Sequence, residues 1–278
     1  MLNVSLSPLN QLEATVRSLN LAGQRSETDV LADIQNALWK DPVIRTLDRD
    51  SLSFEVLEVD VYLSGHVTNA MHRRRIEDLI SGVRGVNVIH ADITADDQLT
   101  TSVAQALALD SRTRPYLIWV GAFHGWIRLS GEVPTSQVRE AAEEVAGRVP
   151  RGRGVLDLPR LPGEHHGIQR RPLQPRFAVP AYAKDGLAGN VAQVVINPRN
   201  RLVSHIAVQT LAGQSARNVF LVPVEAIETA SESSVFLTDT LRDLAARPVF
   251  HEADFPRAPS DWRPPFPYLI GTVRWLRI

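Results

Sequence analysis

Cysteine is absent from the 278-residue chain, which excludes disulfides, thiol catalysis and cysteine-ligated metals. Lysine is scarce too: Lys40 and Lys184 are the only two, so the basic residues are nearly all arginine. That reads as a compositional habit and carries no chemistry of its own. No run approaches the roughly 18 apolar residues that span a bilayer. The opening Met1-Leu-Asn-Val-Ser-Leu-Ser-Pro-Leu-Asn10 lacks the basic region and apolar core of a signal peptide. An excess of charge of one sign is missing as well, with 30 Lys and Arg against 31 Asp and Glu and a formal net charge of -1. The overall charge therefore steers the chain toward neither nucleic acid nor an anionic surface. The expected setting is the cytoplasm, with peripheral contact at the inner face of a membrane left open.

Motifs for common chemistry are also missing. There is no Gly-x-Ser-x-Gly, no Walker loop and no His-Glu-x-x-His. Glu164-His165-His166 is the one dense ligand-like cluster. Adjacent histidines in an extended loop point apart and no third histidine lies at helical spacing, so it reads as a solvated loop. No nucleophile–base pair follows from spacing. The chain is expected to be no enzyme and to hold no metal or cofactor.

What is present is a repeat. Val61-Tyr-Leu-Ser-Gly-His-Val67 returns 66 residues later as Ile127-Arg-Leu-Ser-Gly-Glu-Val133. Alternation makes both strands, with Val61, Leu63 and Val67 matching Ile127, Leu129 and Val133 on one face. A helix follows each: Ile76, Leu79, Ile80 and Val83 form a stripe in the first copy, and Val138, Ala142, Val145 and Val149 form a weaker one in the second. A short strand closes each copy, Val86–Ile93 and Val155–Leu158. Upstream, Ile34, Ala37 and Leu38 correspond to Val103, Ala106 and Leu107. Each unit thus reads helix–strand–strand–helix–strand, with both helices covering one face of a small sheet. Gly65 and Gly131 are read as structural, because a glycine within a strand marks a bend or a close backbone approach.

This order, with Leu-Ser-Gly-x-Val in the second strand and glycine in the turn before the last one, resembles the BON family over about Thr28–Ile93 and Asp97–Leu158. From Arg148 to Arg176 the chain then carries seven arginines against Asp157 and Glu164, a formal charge of +5, with five prolines. Proline at that density opposes helix and central strand, so the stretch reads as a linker. Beyond it, Val191–Ile196, the turn Asn197-Pro-Arg-Asn200, Leu202–Val208, Val219–Val222 and Val235–Leu237 fit a small antiparallel barrel. Gly189-Asn-Val-Ala-Gln-Val-Val-Ile-Asn-Pro198, with Val222-Pro-Val-Glu-Ala-Ile227 later, resembles the PRC-barrel family. The fold class is therefore α+β: two small BON-type modules followed by a small antiparallel β-barrel. The boundaries are an N-terminal extension over 1–27, modules over 28–93 and 94–158, a basic linker over 159–178, the barrel over 179–250 and an aromatic, proline-rich tail over 251–278.

The resemblances imply binding. BON modules are associated with envelope and osmotic-stress proteins and with phospholipid contact, and PRC barrels act by protein contact in photosynthetic reaction centres and ribosome-maturation factors. A scaffold or adaptor on a membrane-associated or multi-protein assembly is expected. The alternative is an RNA- or ribosome-associated factor that uses the linker and the barrel. Candidate contacts for an anionic lipid or nucleic acid are Arg73, Arg74, Arg75, Arg151, Arg153, Arg170 and Arg171. Trp262, Phe266, Tyr268 and Trp275 make the tail too apolar for a free terminus. They pack on their own barrel, dock on a partner protein or meet a second copy of the chain.

Overall fold

The computed structural model describes residues 25–58, 60–210, 218–269 and 271–277. Most of the N-terminal extension expected over 1–27 lies outside the described residues. The chain divides into two compact units, one ending at Ile93 and the other running essentially from Thr94 to the C-terminus.

The first unit begins with α1 (Glu27–Lys40), capped by the Ser26 hydroxyl, which accepts from the Asp29 amide at 3.1 Å. Val30, Ile34 and Leu38 recur every four residues and are buried. A short helix, α2 (Pro42–Leu47), opens on proline, and the Asp41 carboxylate accepts from the Val43 and Ile44 amides. Strands β1 (Leu52–Leu57) and β2 (Asp60–Val67) pair antiparallel, with Leu52 opposite Gly65. Helix α3 (Ala70–Ser81) then leads to β3 (Val88–Ala95), and the sheet order is β1-β2-β3. Val61, Leu63 and Val67 of the strand alternation are buried, and so are Ile76 and Ile80 of the helix stripe.

The second unit opens with the same order: α4 (Asp96–Leu109), β4 (Ile118–Phe123), β5 (Trp126–Gly131), α5 (Ser136–Arg148) and β6 (Gly154–Asp157). Its sheet runs β4-β5-β6, with β5 and β6 parallel. Ile127, Leu129 and Val155 pack beneath Leu99, Val103, Ala142 and Val145 of the two helices. The repeated Leu-Ser-Gly has a common cause. Gly65 and Gly131 both hold positive φ, 131° and 120°. A side chain at Gly65 would overlap the Ser51 carbonyl oxygen, and one at Gly131 would sit 2.6 Å from that of Leu117. In each module the glycine lets the start of the neighbouring strand close over β2 or β5.

The remainder is a strongly curled half-barrel. Its strands are β7 (Pro180–Ala183), β8 (Gly186–Ile196), β9 (Val203–Thr210), β10 (Val219–Pro223), β11 (Ile227–Ala230) and β12 (Val235–Leu237). They are ordered β10-β9-β8-β7-β12-β11. A short helix, α6 (Leu241–Ala245), carries a capping box between Thr240 and Asp243. Two pairings differ from the purely antiparallel sheet expected. Strand β12 runs parallel to β7, and β13 (Val273–Trp275) from the tail runs parallel to β8. Strand β12 comes back beside β7 only after the chain has run through β8 to β11 of the same sheet, and β13 after the long segment that follows β12. Each parallel pair is thus joined by the long connection it requires. Tyr268 and Val273 join the core of this sheet and Trp262 packs against it, so the tail lies on its own barrel.

The β8–β9 turn is seated in the second module. Its Asn200 carbonyl accepts from the Val155 amide at 3.0 Å, and its Asn200 side chain donates to Glu143 at 2.7 Å. Arg201 Nε donates to the Gly152 carbonyl at 2.7 Å. Gly147 on α5 lies so close beneath that a side chain there would overlap the Arg199 carbonyl. Among the described residues no helix is long and apolar enough to cross a membrane.

Ile76 is fully buried. Ile76→Ala should destabilise the first unit by roughly 2–5 kcal/mol. Chemical denaturation followed in that unit checks this; wild-type stability in the variant would contradict the packing described.

Candidate functional site

Alternation along β4 and β5 sorts the second module's sheet into two faces. Ile118, Val120, Ala122, Ile127 and Leu129 turn toward the helices. Trp119, Gly121, Phe123, Trp126, Arg128 and Ser130 share the other face, where Trp119 stands opposite Ser130 and Phe123 opposite Trp126. At one end this face is covered. Trp126 is buried, the Arg153 guanidinium lies 5.0 Å over its ring, and Leu202 of the β8–β9 turn packs near Gly154. Along the edge strand β4 it is open: Trp119 is 64% exposed and Phe123, across from Trp126, 54%, and Leu117 just ahead of the strand is 70% exposed. Strand β4 is also an edge, paired on one side only.

A cleft of about 500 Å³ opens beside Ser130. Arg128 and Ser130 line it from β5, Asp157 and Arg160 from the end of β6, and His165 and His166 from the returning loop. Backbone pairing builds it. The Arg160 amide donates to the Gly131 carbonyl at 3.1 Å, and the Val133 amide donates back to Arg160 at 3.0 Å. The chain turns at 161–164 and returns along β6, where the Leu158 amide donates to Ile168 and the Arg170 amide to Leu156.

Glu164 holds this turn. Its carboxylate accepts from the Leu161 amide at 2.8 Å and from Arg139, a buried arginine of α5 whose Nε also donates to the Pro159 carbonyl at 2.7 Å. The Leu161 amide first, and then Arg139, hold the Glu164 carboxyl below its ordinary value. The dense Glu-His-His cluster is therefore split in role. Glu164 anchors the loop, and the two exposed histidines sit on the cleft's rim. Among the described residues no group of three or more His, Asp or Glu side chains could hold a metal.

The arginines singled out from sequence are scattered. Arg73 pairs with Glu77 at 3.0 Å and Arg75 with Asp41 at 2.5 Å; Arg74 is exposed and makes no ion pair among the described residues. Arg153 donates from Nε to Gln174 at 3.0 Å and lies between the rings of Trp126 and Phe266. Arg170 pairs with Glu143 at 3.0 Å. Arg151 and Arg171 are exposed. Burial lowers Arg153 to about 10, and Arg201 likewise, so both stay charged near neutrality. Among the tail aromatics, the Tyr268 hydroxyl donates to the Pro175 carbonyl at 3.0 Å. Phe266 accepts from Gln174 through its carbonyl, and Trp262 meets Trp275 edge to face at 5.5 Å. Sequence reasoning did not single out Trp119, Arg128, Arg139 or Asp96. The last is a buried carboxylate that accepts from the His124 and Gly125 amides and holds the β4–β5 turn.

The BON domain model matches residues 26–95 and again 95–158, so the chain carries two BON domains, one in each α/β module. No curated protein matches the chain by sequence. Two solved structures are similar at low level, both of CdsD, a structural protein of the type III secretion system of Chlamydia trachomatis. One is 16% identical with a TM-score of 0.33, over 40% of this chain and 49% of that one. The other, the C-terminal domain, has the same identity and score over 41% and 54%. The chain thus spans about half the length of each.

A carboxyl held low by its partners stabilises the loop fully above the ordinary glutamate value of about 4.3 and loses that contribution as pH falls through its lower folded value. Hydrogen exchange at the Leu161 amide should therefore speed up below that range relative to neighbouring amides. In Glu164→Gln it should be fast at every pH. Unchanged protection in the variant would remove Glu164 as the anchor.

Proposed function

We propose that the protein is a non-enzymatic adaptor that docks on a membrane-associated or multi-protein assembly, attaching to an anionic lipid surface through the open face of its second BON domain. The observation that carries this reading is the exposed series Leu117, Trp119 and Phe123 along the edge strand β4 and just ahead of it, beside the arginine-lined cleft. Tryptophan and arginine together suit a membrane–water boundary, where the ring seats among the acyl chains and the guanidinium stays at the headgroups. The resemblance of 179–250 to the PRC barrel adds a protein-contact element to the same unit. Exposed Arg74, Arg151 and Arg171 are further candidates for anionic contact.

The alternative, an RNA- or ribosome-associated factor, leans on the linker arginines. Arg153 and Arg170 already have partners within the chain, and no other observation favours that reading.

Co-sedimentation with vesicles tests the proposal. Binding is expected to vesicles containing phosphatidylglycerol and not to phosphatidylcholine alone. It should weaken as salt shortens the Debye length below about 8–10 Å. Trp119→Ala combined with Phe123→Ala should abolish it without altering the melting temperature. Equal binding to both vesicle types, or full binding by the double variant, would overturn the reading.

A further inference from the structure

The cleft beneath the 161–169 loop presents more hydrogen-bond donors than its own carboxylate satisfies. Arg128 lies 3.4 Å from Asp157, longer than the roughly 2.7–2.9 Å of a charge-assisted bond. Arg160 meets Glu132 at 3.1 Å, with both side chains about half exposed, so that pair is weak in water. His165 and His166 are exposed on the rim, and among the described residues neither imidazole has a partner, nor has the Ser130 hydroxyl or the Gln169 carboxamide. Two guanidinium groups, two imidazoles, a hydroxyl and an amide thus line one space in which, among the described lining residues, Asp157 is the one carboxylate.

We propose that this cleft binds a phosphate ester. The proposal rests on the reading of this face as an anionic docking surface and names the group it holds. Phosphate matches the donors because it offers several oxygens in different directions, and these donors reach it from separate walls. Arg128 and Ser130 rise from β5, Arg160 stands on the extension of β6, and the histidines and Gln169 come from the loop. Each guanidinium can present two parallel N–H groups to a pair of phosphate oxygens, a match that a single ammonium cannot make. A volume of about 500 Å³ exceeds a bare ion and lies within the range of small-molecule pockets. The organic part of the ester has room beside Ile168, an exposed apolar side chain that also lines the cleft. Anchoring by Glu164 and Arg139 holds the loop before any ligand arrives, so little ordering opposes binding.

The ester can belong to a soluble molecule or to a lipid headgroup, and one titration separates them. Inorganic phosphate and glycerol 1-phosphate are added to the full chain at constant ionic strength. The readout is the imidazole proton resonances, assigned through His165→Gln and His166→Gln. Both resonances should shift saturably with either phosphate compound and not with acetate. Arg128→Gln combined with Arg160→Gln should weaken the response by about tenfold or more, the loss of two charge-assisted contacts. Arg242→Gln, on the half-barrel, should leave it unchanged. Absence of a saturable shift, an equal response to acetate, or a wild-type response in the double variant would each overturn the proposal. Competition of glycerol 1-phosphate with phosphatidylglycerol vesicles supports a headgroup as the source. A phosphate response without vesicle binding supports a soluble ester and removes the membrane reading alone. Vesicle binding without a phosphate response removes the cleft and leaves the aromatic face.

Discussion

The seating of a six-residue turn governs the larger unit. Residues 197–202 join β8 to β9, and the same residues bond the second BON domain: the Asn200 carbonyl accepts from the Val155 amide and its side chain donates to Glu143, and Arg201 donates to the Gly152 carbonyl. Backbone approaches α5 so closely at Gly147 that no side chain fits there. Arg201 is almost wholly buried, with carbonyl acceptors at Gly152 and Arg263 and the Trp262 ring 5.1 Å away. A buried cation is stable only while such partners remain in place. Displacing the turn would strand this charge and expose the apolar floor around Trp126.

That contact decides which part of the sheet face is left for function. The half-barrel and the basic segment cover the Trp126 end, with Arg153 stacked between Trp126 and Phe266. The β4 edge with Trp119 stays open, and the segment that began as a linker in sequence terms forms the cleft's far wall. Its prolines and arginines have structural uses there. Pro159 offers a carbonyl to Arg139, Arg170 reaches Glu143, and the Pro175 carbonyl takes the Tyr268 hydroxyl. The tail closes the arrangement by adding β13 to β8.

Much of the fold was legible because it is local. The repeated strand, the helix stripe around Ile76 and the two Leu-Ser-Gly glycines announce their roles through period and residue type. The β8–β9 hairpin is marked by Asn197-Pro-Arg-Asn200 in the same way. The candidate site was less legible because its parts are distant in sequence. Arg128 sits at a solvent-facing strand position and looks ordinary until His165 and His166 are folded over it. Trp119 alternates correctly in a strand, so nothing in the pattern tells whether its face is covered. The acids that meet Arg73 and Arg75 are Glu77 and Asp41, and the second lies 34 residues upstream, so the sequence alone does not show that pairing. Parallel pairing of β12 and β13 was hidden for a similar reason, since a short strand gives no hint of its partner.

Native-state hydrogen exchange across a denaturant series tests the interlock most directly. If the turn joins the second BON domain to the half-barrel, the slowest amides of β5, β6, β8 and β9 should open in one cooperative step. Gly147→Val should lower that step for all four strands together while leaving β2 of the first unit unchanged. Separate opening of β5 and β6 from β8 and β9 in the wild-type chain, or a loss in the variant confined to one pair, would contradict the account.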